Sequence, residues 1–180
     1  MAAFVALLRG VNVGKGKRVP MADLRALLVD LGFGDVATLL NSGNAVFTGP
    51  TTSAIRHAAA IATGLTTRLG IDVPVIVKSA TALEAIVAGT PLADPPADPS
   101  RVLVAFTQDT KALDGLTPVA SLVTPPERFV VGAHAAYLHC PNGILQSKAG
   151  EALLGKAGRA ATTRNWATTL KLLALVRERC

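Results

Sequence analysis

Thr90-Pro91-Leu92-Ala93-Asp94-Pro95-Pro96-Ala97-Asp98-Pro99 decides how the rest of the chain is read. Four of its ten residues are proline. Proline fixes φ and lacks the N–H that a helix interior or a central strand requires, so this stretch continues neither. It reads as a linker between halves spanning residues 1–90 and 100–180.

On the N-terminal side, Phe4 to Leu8 is a short buried strand. A loop with Gly10, Gly14 and Gly16 follows, then a helix with Pro20 in its first turn and Met21, Leu24, Leu27, Leu28 and Leu31 at helical spacing, ended by Gly32. Val36 to Leu40 and Ala45 to Thr48 are strands joined through the turn formers Asn41-Ser42-Gly43-Asn44. From Thr52 to Leu69 the apolar positions Ile55, Ala59, Ala62, Leu65 and Leu69 make a second helix stopped by Gly70, and Val73 to Val77 is a further strand. A short helix from Thr81 to Val87 leads into the linker.

Beyond it, Val102 to Phe106 is a strand and Lys111 to Leu116 a short helix; Arg128 to Val131 and Ala136 to His139 form a strand pair. Ser147 caps a helix that Gly158 ends, Ala160 to Thr162 is a brief edge strand, and Trp166 to Arg177 is a terminal helix. Both sides read βαββαβ. The expected fold is therefore α+β: two tandem ferredoxin-like halves, each an antiparallel sheet covered by helices on one face.

Composition agrees with a packed protein. Of 180 residues, 50% are hydrophobic and 17% charged, too apolar for disorder. A chain of this size buries about 69% of its extended surface. Cys140 and Cys180, the only cysteines, can neither staple a fold nor supply a four-cysteine zinc site. Free thiols and a cytoplasmic location are expected. The apolar run at residues 2–8 lacks a basic leader and is too short for a signal core, and no other uncharged run spans a bilayer.

The net charge of +6 is unevenly spread. Residues 1–60 carry six basic and three acidic groups, residues 61–130 five and seven, and residues 131–180 seven and two. Two basic ends brought together would favour phosphate or carboxylate partners; the alternative is a basic surface that serves solvation alone.

Three segments could hold an anion. In residues 9–18, Arg9, Lys15, Lys17 and Arg18 interleave with glycines and Asn12 between a strand and a helix, where backbone amides and cations can approach phosphate. The spacing is neither a P-loop nor a dinucleotide fingerprint, and a solvated loop is the competing reading. Ser42 and Asn44 could reach a ligand over the sheet edge, or serve only the turn. At Thr162-Thr163-Arg164-Asn165, Thr163 or Asn165 would cap the last helix, with Trp166 and Leu170 packed inward. Arg164, a cation at a helix start, would be reconciled by an anion lying between it and the dipole.

Leu8-Arg9-Gly10-Val11-Asn12-Val13-Gly14, Ser42-Gly43-Asn44-Ala45-Val46-Phe47 and Thr162-Thr163-Arg164-Asn165-Trp166 resemble the signatures of the bacterial domain-of-unknown-function family 1697. Val19-Pro20-Met21 and Gly143-Ile144-Leu145-Gln146-Ser147-Lys148 extend the resemblance, in order, over nearly the whole chain. It implies the tandem ferredoxin-like fold and no reaction. Leu39, Asn41, Ala167 and Lys15 depart from the residues usual there, which are Tyr, Gln, Asn and Gly.

Catalytic sets are thin. His57 sits in an Ala-rich helix, His134 by a turn, and His139 beside Cys140 without a third partner, so each reads as structural. No metal or cofactor is expected. With seven aromatic residues in the chain, a base-stacking platform is poorly supported.

The first functional reading is a binding protein whose Arg9, Asn12, Lys15, Lys17, Arg18, Ser42, Asn44, Lys148, Arg164 and Asn165 gather on one basic surface. That surface would hold a phosphate-bearing small molecule or a nucleic-acid backbone, with no membrane partner. The second is an enzyme acting on a small anionic metabolite, using amides and Arg164 to stabilise charge. The third is a homodimer pairing through exposed sheet or edge strands.

Overall fold

The computed structural model describes residues 1–51, 53–92 and 98–180. The linker positions 93–97 and Thr52, the expected start of the second helix, lie outside the described residues.

The first half runs β1 (Ala2–Leu8), α1 (Met21–Asp30), β2 (Gly34–Leu39), β3 (Asn44–Gly49), α2 (Ala54–Leu69) and β4 (Val75–Ser79), followed by α3 (Ala80–Ala88). Its sheet has the order β2-β3-β1-β4, and every neighbouring pair is antiparallel. The second half runs β5 (Val102–Thr107), α4 (Lys111–Asp114), β6 (Arg128–Val131), β7 (Ala136–His139), α5 (Lys148–Leu154) and β8 (Ala161–Asn165), followed by α6 (Trp166–Arg177). Its order, β6-β7-β5-β8, repeats that of the first half, again antiparallel throughout. The protein is thus α+β, with two tandem ferredoxin-like halves. The compact units are residues 1–83 with 172–180, and residues 84–171, so the end of α6 counts with the first unit and the end of α3 with the second.

In the first unit, Phe4, Ala6 and Leu8 of β1, Ala45 and Phe47 of β3 and Val77 of β4 pack against Leu24, Leu27 and Leu28 of α1 and Ile61 and Leu65 of α2. Each fully buried aliphatic side chain contributes about 1.5–3 kcal/mol. The inward face of α2 is His57, Ala58, Ile61, Gly64 and Leu65, whereas Ile55 is 54% exposed and Ala59 lies on the surface. Reading Ile55 and Ala59 as inward set the stripe one position out of phase, because alanine is small enough to sit on either face. Gly64 belongs inside because a Cβ there would come within 2.8 Å of the Leu27 side chain. Gly70 ends α2 at φ 66°, its N–H bonded to Thr66 O and that of Ile71 to Leu65 O, a left-handed C-terminal cap.

His57 stands edge-on to Phe4, Phe33 and Phe47, with ring centroids 4.6, 5.1 and 5.9 Å away. Its Nε2 lies 3.0 Å from Pro50 O, which can only accept, so Nε2 carries the proton and donates. This histidine is a core group with a satisfied donor.

Sheet burial departs from the one-sided expectation. Along β1, Val5 and Leu7 are as fully buried as Ala6 and Leu8, and every residue of β3 and β5 is buried. The faces turned away from the covering helices are therefore also dry.

In the second unit the core is Leu103, Ala105, Ala136, Leu138 and Ala161 against Leu113, Leu116, Val119, Ala149 and Leu153. Ser147 caps α5 by accepting from Gly150 N–H at 3.0 Å. On the opposite sheet face the buried Tyr137 hydroxyl donates to Ile86 O, tying the end of α3 to β7. Burial pushes its pKa up to about 12.

Candidate functional site

The loop between β1 and α1 is held at both ends by the core. Val11 is 1% exposed and Val19 fully buried, while Gly14, Lys15, Lys17 and Arg18 between them lie at the surface. The closure is local: Asn12 N–H donates to Lys17 O at 2.8 Å and Gly16 N–H to Val13 O at 2.7 Å. Gly16 is required there, since a Cβ would sit 2.4 Å from Gly10 O and 2.8 Å from Val13 O.

Asn12 braces this loop against the β2–β3 turn. Its Nδ2 donates to Val19 O at 2.7 Å and to Asn41 O at 2.8 Å, and its Oδ1 accepts from Val19 N–H at 2.9 Å. The backbone at Asn12 is left-handed, φ 56°, a conformation asparagine tolerates better than most residues. The turn comes equally close from its own side: Leu8 N–H donates to Gly43 O at 2.9 Å, and a Cβ on Gly43 would lie 2.6 Å from the Val11 side chain. Two of the three expected segments, loop and turn, therefore meet at one end of the first sheet.

The cations of the loop have distinct settings. Lys15 is exposed; the Lys17 Nζ donates to Asp72 O, and the Arg18 Nη2 to Gly14 O at 2.9 Å. Arg9 is half-buried, and that burial lowers its pKa without removing its charge at neutral pH. Between residues 9 and 20 there are four basic residues and no carboxylate, and residues 40–49 contain none either. Asp72 is exposed and meets Lys17 through its backbone carbonyl.

Other expected site residues serve the fold. Asn44 is fully buried in β3, and its Nδ2 donates to Leu39 O at 3.0 Å and Ser42 Oγ at 3.1 Å, so both side chains stitch the turn. Asn165 caps α6, accepting from Thr168 N–H at 2.8 Å. Arg164 is a strand residue of β8, 8% exposed, rather than a surface cation at a helix start; its Nη1 donates to Thr162 Oγ1 and Thr163 O, each at 2.8 Å. Desolvation lowers its pKa to about 10. The edge strand does not end at Thr162, as its sequence suggests, but continues through Asn165, and this continuation, paired with β5, carries Arg164 inward. Leu170, expected to pack inward, is 41% exposed. Lys148 is exposed at the start of α5. Lys148, Arg164 and Asn165 all belong to the second unit.

Asn41, Val13 and Leu40 also lie at this end of the sheet, though none of them was among the expected site residues. A contact between residues 12 and 41 has no local signal; only the turn-forming character of Asn41 was readable.

Among the described residues no group of three or more His, Cys, Asp or Glu side chains could hold a metal ion, and no helix is long and apolar enough to cross a membrane. Both cysteines are unbridged, Cys140 buried and Cys180 exposed, and burial raises the Cys140 pKa.

The family model described as "Protein of unknown function (DUF1697)" matches residues 1–137. The signature around Arg164 lies beyond that match. In structure the chain is similar to the conserved bacterial protein SP0830 from Streptococcus pneumoniae, with a TM-score of 0.81 and 24% sequence identity over 97% of this chain and 98% of that one. That likeness extends the shared fold over both halves. No curated protein matches the chain.

Proposed function

We propose, for a chain that belongs to the DUF1697 family of proteins of unknown function, that the β1–α1 loop and the turn braced to it bind the phosphate of a phosphate-bearing ligand. The observation that supports this most is a loop anchored by buried Val11 and Val19 that holds Lys15, Lys17 and Arg18 at the surface with no carboxylate inside it. Like charges gathered on a fixed loop repel one another, and an anion relieves that repulsion. Left-handed backbone at Gly10, Asn12 and Gly14 adds to the case, because residues in this conformation make the tight concave turns whose backbone amides meet oxyanions. Binding without chemistry fits better than catalysis: Asn12, Ser42 and Asn44 are engaged in hydrogen bonds that build the loop and turn.

The test is a titration of the full chain with tripolyphosphate and with single-stranded and duplex oligonucleotides at low and high salt. Three exposed cations predict a slope of log K against log salt of about −2 to −3 for a polymeric ligand. Lys15→Gln with Arg18→Gln should lower affinity and flatten that slope. Absence of salt-dependent binding to all the probes refutes the reading.

A further inference from the structure

Position 40 carries two features that work against folding. Leu40 has left-handed backbone, φ 57°, and its side chain is 56% exposed. A bulky residue in that conformation is destabilised relative to glycine or asparagine, and an exposed leucine recovers little of that through burial. Asparagine would serve the turn better, so the leucine at this position has its use outside the fold. One residue from the other end of the Asn12–Asn41 hydrogen bond, Val13 is likewise 54% exposed. Two exposed aliphatic residues thus adjoin in sequence the two asparagines of that bond, Val13 on the loop that carries the cations and Leu40 on the turn braced to it.

We infer that the phosphate-bearing ligand of this loop is a nucleotide, its base lying against Leu40 and Val13 while its phosphate meets Lys15 and Arg18. The inference rests on the phosphate-binding reading and narrows its ligand class. Inorganic phosphate and polyphosphate have no use for apolar surface. A sugar phosphate presents hydroxyls, which seek polar partners, and a duplex keeps its base faces stacked inside. A nucleotide, free or within a single strand, carries a flat apolar face within a few bonds of its phosphate. Aliphatic contact is also what this surface can offer a base, since the chain's seven aromatic residues are all buried or half-buried. The exposed amide of Asn41, next to Leu40, accepts a long 3.4 Å contact from Asn12 Nδ2 at its Oδ1 and keeps its NH2 as a donor for a base or ribose edge.

The experiment compares AMP and a short oligothymidylate with ribose 5-phosphate and tripolyphosphate, on the full chain and on its Leu40→Asn and Val13→Ser variants. Leu40→Asn suits the left-handed backbone, so its melting temperature should stay level or rise. The expected result is that each substitution weakens AMP or oligothymidylate by about 3- to 10-fold, the scale of losing one aliphatic contact, and leaves tripolyphosphate unchanged. The tighter of the two nucleotide probes tells whether the nucleotide is met free or in a strand. Equal affinity for nucleotides and tripolyphosphate, or an equal loss for both in the variants, overturns this inference while leaving phosphate binding standing. Failure of every probe overturns both readings. A wild-type dimer that Leu40→Asn dissociates, with nucleotide affinity intact, assigns the exposed leucine to self-association and also overturns the inference.

Discussion

Asn12→Gly should separate the architecture of the loop from its charge. Glycine accepts the left-handed backbone, φ 56°, so the substitution removes the side chain without straining the chain. Three hydrogen bonds between 2.7 and 2.9 Å disappear, two to the loop's own Val19 and one to Asn41 O across the turn, together with a weak fourth of 3.4 Å to Asn41 Oδ1. Each is neutral and partly accessible to water, which places it near the lower half of the usual 0.5–1.5 kcal/mol. Three such bonds sum to about 1.5–3 kcal/mol, and the added backbone freedom of glycine brings the loss to about 2–4 kcal/mol. Urea unfolding followed by circular dichroism should show a lower midpoint with unchanged m. All four cations remain, so tripolyphosphate affinity should fall, because an unbraced loop must be ordered on binding, while oligonucleotide binding keeps its salt slope. A stability loss under about 0.5 kcal/mol together with unaltered affinity would refute the claim that Asn12 fixes this loop for binding.

Arg164→Ala leaves Thr162 Oγ1 and Thr163 O without their donor and opens a void in the second sheet; stability should fall by about 2–4 kcal/mol, and the fraction that remains folded should bind tripolyphosphate as wild type does. Gly158→Ala places a Cβ 1.8 Å from Leu153 O, a backbone atom that cannot swing away, so calorimetry should find the second unit destabilised by more than about 2 kcal/mol. Tyr137 has a folded pKa of about 12 against about 10 when unfolded, so its contribution is complete below pH 10 and is lost as pH rises from about 10 to 12. Tyr137→Phe should cost about 1 kcal/mol at neutral pH and make chemical stability fall less steeply over that alkaline range.

Where local chemistry decides, the sequence was readable. Gly32 and Gly70 end helices in left-handed conformations, short apolar runs between turn formers mark most of the strands, and periodic apolar residues mark the long helices. Element ends moved by one to three residues because neighbouring strands extend one another's ladders, as β5 does for β8. That extension also decided the fate of Arg164. Whether an arginine next to a helix faces water or the interior depends on which partner strand it joins, and no spacing rule records that. Asn44 shows the same limit: a turn former by type, it is a fully buried strand residue whose amide closes the turn from inside. The candidate site was half legible. Its cations and glycines are contiguous in sequence, but the brace from Asn12 to Asn41 spans 29 positions, and Leu40 is remarkable only once its backbone angle is known.

The central claim, that residues 9–18 and 41–44 form a phosphate site, is tested most directly by a heteronuclear NMR titration of the isotope-labelled chain with AMP and with tripolyphosphate at low salt. The account predicts saturable shifts concentrated in the amides of Gly10, Gly14, Lys15 and Gly16 and in the side-chain amides of Asn12 and Asn41, fading as salt is raised. Shifts centred instead on the second unit, around Lys148 or the start of α6, or no saturable shifts at all, would contradict it.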